Sequence, residues 1–123
     1  MPIGSPFWWT VGCASGAAAV GFGAFGAHAL GGTIEPKLLK TWETAAQYHL
    51  AHSIVILAAS YANRGTACSL LTAGVVLFSG SLYALVLSGQ RKLGAITPIG
   101  GLLMIAGWLA LMPWEQATVT RKD

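Results

Sequence analysis

From Phe7 to Leu30 the chain runs 24 residues without a charged side chain, and from Thr66 to Ser88 it runs another 23. As helices these runs are about 36 and 35 Å long, against a bilayer hydrocarbon core of about 30 Å. Each is long enough to cross a membrane. Only 9% of the 123 residues are charged and 54% are hydrophobic, whereas a soluble domain is about one quarter charged. Four acidic and seven basic side chains cannot clothe a small water-soluble fold, which exposes much of its chain. The expectation is a single domain over 1–123, integral to the membrane, with the lipid bilayer as its first partner.

Two further segments fit the same frame. Segment 36–62 opens on Pro36, which suits the first turn of a helix because its missing N–H costs nothing there. It is amphipathic from Lys37 to Tyr48 and largely apolar from Leu50 to Tyr61, so it reads as a helix that starts in the interface and enters the bilayer. Segment 94–112 carries Thr97-Pro98, which reads as an N-cap followed by proline at the first helical position. The fold class is therefore all-α: an integral membrane bundle of four transmembrane helices at 7–30, 36–62, 66–88 and 94–112, with an amphipathic interfacial start to the second and a polar tail at 113–123. Ala27-His28-Ala29 imitates a signal-peptidase site, but the run before it is too long and lacks a basic flank.

An even number of spans places both termini on one face, where Trp8, Trp9, Trp108 and Trp114 suit an aromatic belt. Arg64, Arg121 and Lys122 fall on that face and Lys37, Lys40, Arg91 and Lys92 on the other, so positive charge sets no orientation. Scattered in this way, the basic residues read as headgroup anchors. They form no stripe for nucleic acid despite the net charge of +3. Cys13 and Cys68 sit inside apolar runs and read as small buried hydrophobes, not as a disulfide or metal pair.

Small residues recur at helical spacing: Gly12 with Gly16, then Ser15, Ala19, Gly23 and Ala27, and in the third run Gly80, Ala84 and Ser88. Lipid is as apolar as leucine, so helices associate through close backbone approach along such stripes. Helix packing is accordingly the expected role of Gly12, Gly16, Ala19, Gly23, Ala27, Gly80 and Ala84.

The titratable residues of interest are His28, at the end of the first span, and His49 and His52, where the apolar part of the second begins. All three are expected near one membrane face, with Tyr48, His49 and His52 fanning across one side of the helix. Three neighbouring imidazoles can hold a metal, ligate a haem, contact a quinone or relay protons. The preferred reading is structural anchoring through hydrogen bonds to backbone, water or headgroups. No Ser-His-Asp order, carboxylate pair or phosphate loop is present, so no enzyme is expected, and no cofactor beyond bound lipid.

Four stretches, GAFGAHAL, KTWETAAQYHLAHSIVIL, LFSGSLYAL and ITPIGGLLMIAGWLAL, together resemble the small membrane proteins called domain of unknown function 423, the transmembrane protein 256-like family. The resemblance runs from about Gly12 to Leu111 in order and spacing. It implies a four-helix protein of bacterial inner membranes and, in eukaryotes, of mitochondrial inner membranes, and it implies no reaction. The characteristic residues it marks are Gly26, His28, Trp42, Gln47, Tyr48, His49, His52, Gly80, Ser81, Tyr83, Pro98, Gly100, Gly101 and Trp108. The functional expectation is a non-catalytic accessory subunit of a larger membrane complex, with a respiratory-chain complex as the host and its other subunits as partners. The alternatives are a ligand-binding membrane protein built on His28, His49 and His52, and a small transporter.

Overall fold

A computed structural model describes residues 4–114. Helix α1 spans Pro6–Phe25 and widens into one π turn at Gly26–Leu30; α2 spans Pro36–Tyr61, α3 spans Gly65–Ser88, and a 3-10 turn at Arg91–Ala95 leads into α4 at Thr97–Ala110. There is no strand among the described residues. Three helical stretches, Pro6–Leu30, Gly65–Ser88 and Arg91–Ala110, are long and apolar enough to cross a membrane. Helix α2 is the longest at 26 residues but falls outside that class, because Gln47, His49, His52 and the charges of its first turns lower its hydropathy.

Local chemistry sets the helix ends. The Ser5 hydroxyl accepts the Trp8 N–H at 3.4 Å and Pro6 takes the first helical position, as capping requires. The short α2–α3 turn needs a left-handed residue, and Asn63 supplies it at φ 57°. Gly89 does the same after α3 at φ 74°. Thr97, expected as an N-cap, lies inside α4 and caps nothing. Its hydroxyl instead meets Ser81 on α3 at 2.6 Å.

Helix α2 packs between α1 and α3, and α3 packs on α4, whereas α1 and α3 scarcely touch. Neighbouring helices are antiparallel. Ser79 donates to the Ala45 carbonyl and Cys68 to that of Ile56, so the start of α2 is level with the end of α3 and His49 is level with Val75. The amphipathic first turns of α2 therefore lie alongside α3 and are continuous with the rest of the helix, with Trp42 and Ala45 buried.

The core divides into two clusters. Ile56, Ala59, Ala67, Cys68 and Leu71 fill one end, and Trp42, Ala45, Tyr83 and Val86 fill the other. The small-residue expectation is met only in part. Gly12 lies against Leu57 and Gly16 against Ser53, and Ala19 is buried. Gly23 and Gly80 are half-buried with open space where a Cβ would stand, while Ala27 and Ala84 are exposed. The closest approaches fall elsewhere: Gly26 receives the Trp42 indole, Gly74 and Gly100 bring the backbones of α3 and α4 together, and Gly107 takes Leu71. Cys68 is buried as expected, but Cys13 faces outward on α1. Of the polar tail expected at 113–123, residues 115–123 lie outside the described residues.

Candidate functional site

Between the two core clusters the interior is polar, and most of its hydrogen-bonding capacity is spent on joining helices. Ser53 donates to the His49 carbonyl at 2.6 Å, which uses its hydroxyl hydrogen. Ser15 on α1 must then be the donor in its 2.6 Å contact with Ser53. Ser79 donates to the Ala45 carbonyl at 2.8 Å. The Trp42 indole reaches back to the Phe22 carbonyl at 2.7 Å, which explains why Gly26 cannot carry a side chain under it.

The geometry also fixes the state of His52. Its Nδ1 lies 2.8 Å from the Tyr48 carbonyl and its Nε2 accepts the Trp108 indole N–H at 3.0 Å. A carbonyl only accepts and an indole only donates, so the ring is neutral with its hydrogen on Nδ1. Tyr48 stacks on the same ring with centroids 5.8 Å apart. Both nitrogens are thus committed, Nδ1 to its own helix and Nε2 to holding α4 against α2. Trp108, expected in an interfacial belt, spends its indole N–H here.

His49 faces the other way, towards α1 and α3. Its Nδ1 is 3.0 Å from the Tyr83 hydroxyl, although the register sets Val75, not Tyr83, level with it. The gap closes because helical side chains lean towards their own N-termini, and in an antiparallel pair these leanings converge. Phe22 covers the couple, stacking on Tyr83 with centroids 4.4 Å apart and an interplanar angle of 20°.

Beside His49 and Tyr83 a cavity of about 470 Å³ opens between α1 and α3, floored by α2. It exists because α1 and α3 both pack on α2 and leave a gap between themselves. Gly80 deepens it, since no atom lies within 4 Å of where its Cβ would be. Thr72, another lining residue, has a buried hydroxyl without a hydrogen-bond partner among the described residues.

The three histidines do not converge. His28 is exposed in the π turn, His49 lies on the α1–α3 side and His52 on the α4 side. His49 and His52 also stand about 12–16 Å further along α2 than the level of the π turn, deep in the helix and not at its edge. Among the described residues no group of three His, Cys, Asp or Glu side chains is placed to hold a metal. The sequence set the three histidines near one face and left open whether they converge; His49 and His52 are instead anchored by Tyr83 and Trp108. The only sequence signal for either is the position of an aromatic residue with a polar tip inside an apolar run.

The family described as "Protein of unknown function (DUF423)" matches residues 22–101. The UPF0382 membrane protein SH2409 of Staphylococcus haemolyticus is 52% identical over 99 residues, which cover 76% of this chain and 81% of the relative. The UPF0382 membrane protein YwdK of Bacillus subtilis is 46% identical over 102 residues, 76% of this chain and 83% of the relative. A UPF0382 membrane protein of Schizosaccharomyces pombe, C1782.12c, is 40% identical over 114 residues, 85% of this chain and 97% of the relative. No solved structure matches the chain.

Proposed function

We propose, from the premise that this chain belongs to the DUF423 family, that it is a non-catalytic, four-span subunit of a larger membrane assembly. It is an integral multi-pass membrane protein, as its relatives' names and its apolar helices agree. The observation that carries the assembly reading is Gln47. This residue is exposed on the outer face of α2, level with Leu77 midway along the apolar α3, and its carboxamide bonds no other described residue. An amide facing hydrocarbon has no water to pair with, and a hydrogen bond across helices relieves it by roughly 0.6–2 kcal/mol.

Two features support this reading. Cys13, Ala17, Gly21 and Ala24 give α1 an exposed face of small side chains, which permits close approach of a partner helix. The interior polar groups bond chiefly to one another and to backbone, as a scaffold requires. The fourth span is α2, whose length lies alongside α1 and α3 and whose two imidazoles are buried. The host proposed is a respiratory-chain complex, because the family resemblance implies bacterial inner and mitochondrial inner membranes, which share that kind of complex.

Native electrophoresis of gently solubilised membranes, with mass spectrometry of the band, tests the proposal. The wild type is expected to comigrate with a large assembly and Gln47→Leu to run alone, with its own fold intact because leucine suits lipid better. A wild-type chain that migrates as a monomer overturns the reading. Comigration with an assembly that lacks respiratory subunits overturns the choice of host alone.

A further inference from the structure

The cavity between α1 and α3 is of a size that holds small ligands, which typically occupy about 300–1,000 Å³, and its walls are apolar apart from a few hydroxyls and one imidazole. The supply of hydrogen-bond donors there can be counted. Ser15 and Ser79 both line the cavity, but each already donates within the protein, and the Thr72 hydroxyl, though unpartnered among the described residues, is buried with almost no accessible surface. The His49–Tyr83 couple is different. If the Tyr83 hydroxyl donates to Nδ1, the neutral ring keeps its hydrogen on Nε2; if Nδ1 donates to the tyrosine oxygen, the hydroxyl hydrogen stays unspent. Under either tautomer the couple holds one surplus donor, and it stands about midway along α2.

We propose that this cavity binds an isoprenoid quinone, with a head-group carbonyl accepting the surplus hydrogen of the His49–Tyr83 couple and the tail lying along the apolar wall towards the gap between α1 and α3. Depth selects this class of occupant. Phospholipid and fatty-acid head groups stay at the interface, whereas the donor lies level with the middle of α3, where a membrane-dissolved molecule with a small uncharged acceptor can reach it. Phe22 and Tyr83 add flat aromatic faces beside the donor, suited to stacking on a planar ring. The open space at Gly80 supplies room that a packed helix interface would not leave. The proposal is independent of the assembly reading, since the cavity belongs to a single copy of the chain.

The test titrates decylubiquinone into the full-length protein in nanodiscs and follows tryptophan fluorescence, because Trp42 packs against both Phe22 and Tyr83. Wild type is expected to show saturable quenching above the linear background of quinone dissolved in lipid. The double variant His49→Phe with Tyr83→Phe, which removes the surplus hydrogen under either tautomer, should weaken the saturable phase by roughly tenfold, the worth of one hydrogen bond in a dry site. Gly80→Leu should abolish it by filling the cavity while leaving every hydrogen bond described above in place, and thermal unfolding identifies any variant that has not folded. Quenching that is linear in the wild type overturns the proposal. Saturable quenching that Gly80→Leu leaves unchanged also overturns it, because the quinone would then sit elsewhere.

Discussion

A neutral imidazole has one donor and one acceptor, and in His52 both are used, one on its own helix and one on α4. Trp108→Phe is therefore expected to destabilise the protein by about 1 kcal/mol through the orphaned Nε2. A double-mutant cycle with His52→Ala should return a coupling of about 0.6–1.7 kcal/mol, the range found for hydrogen bonds between membrane helices. Unfolding in bicelles measures it, and additive effects would show that the contact contributes nothing. Gly26 is limited by sterics: a Cβ there would enter the Trp42 indole, so Gly26→Val is expected to break the indole bond to Phe22 as well and to cost about 3 kcal/mol. Of the three histidines, the sequence placed each on its helix correctly. It did not disclose that they point apart, because rotation about a helix axis is set by what the neighbouring helices present.

At the scale of elements, α4 is the shortest of the four helices, at 14 residues, about 21 Å long, and its attachment depends on close approach to α3. A Cβ on Gly100 would meet the backbone of Gly74, Leu77 and Phe78, whereas one on Gly101 would meet only the Phe78 ring at ordinary contact distance. Gly100→Ala is expected to displace α4 and cost about 2–3 kcal/mol. Gly101→Ala should be neutral or stabilising by up to about 1 kcal/mol, the helix-propensity gain. Unfolding of the two single variants checks this, and equal effects would refute the proposed α3–α4 contact. The adjacent glycines are indistinguishable in the sequence. Which of them faces α3 follows from the Ser81–Thr97 bond and the register it sets.

For the molecule as a whole, the number of spans has a direct topological consequence. With α2 counted as a span, Ser5 and Trp114 share one side of the membrane and Arg91–Lys92 lies on the other. Single cysteines at Ser5 and at Lys92, in a background lacking Cys13 and Cys68, are expected to react with an impermeant thiol reagent from opposite sides. Labelling of both from the same side would show that α2 does not cross. The same arrangement leaves the α1–α3 gap open to lipid, so cavity and outer faces are shared out by the one helix, α2, that packs against both.

The helical class, the membrane setting and the helix limits to within a few residues were legible in the order of residues alone. Charge-free length and the breakers between runs depend on solvent transfer and local backbone chemistry, which are properties of consecutive residues. Which small residues pack, the meeting of His49 with Tyr83 and of His52 with Trp108, and the cavity beside the first pair emerge only from how the helices pack. In water a polar stripe marks the outward face of a helix. In lipid both faces are apolar, so Gly16 and Gly21, or Gly100 and Gly101, look alike until a neighbouring helix distinguishes them.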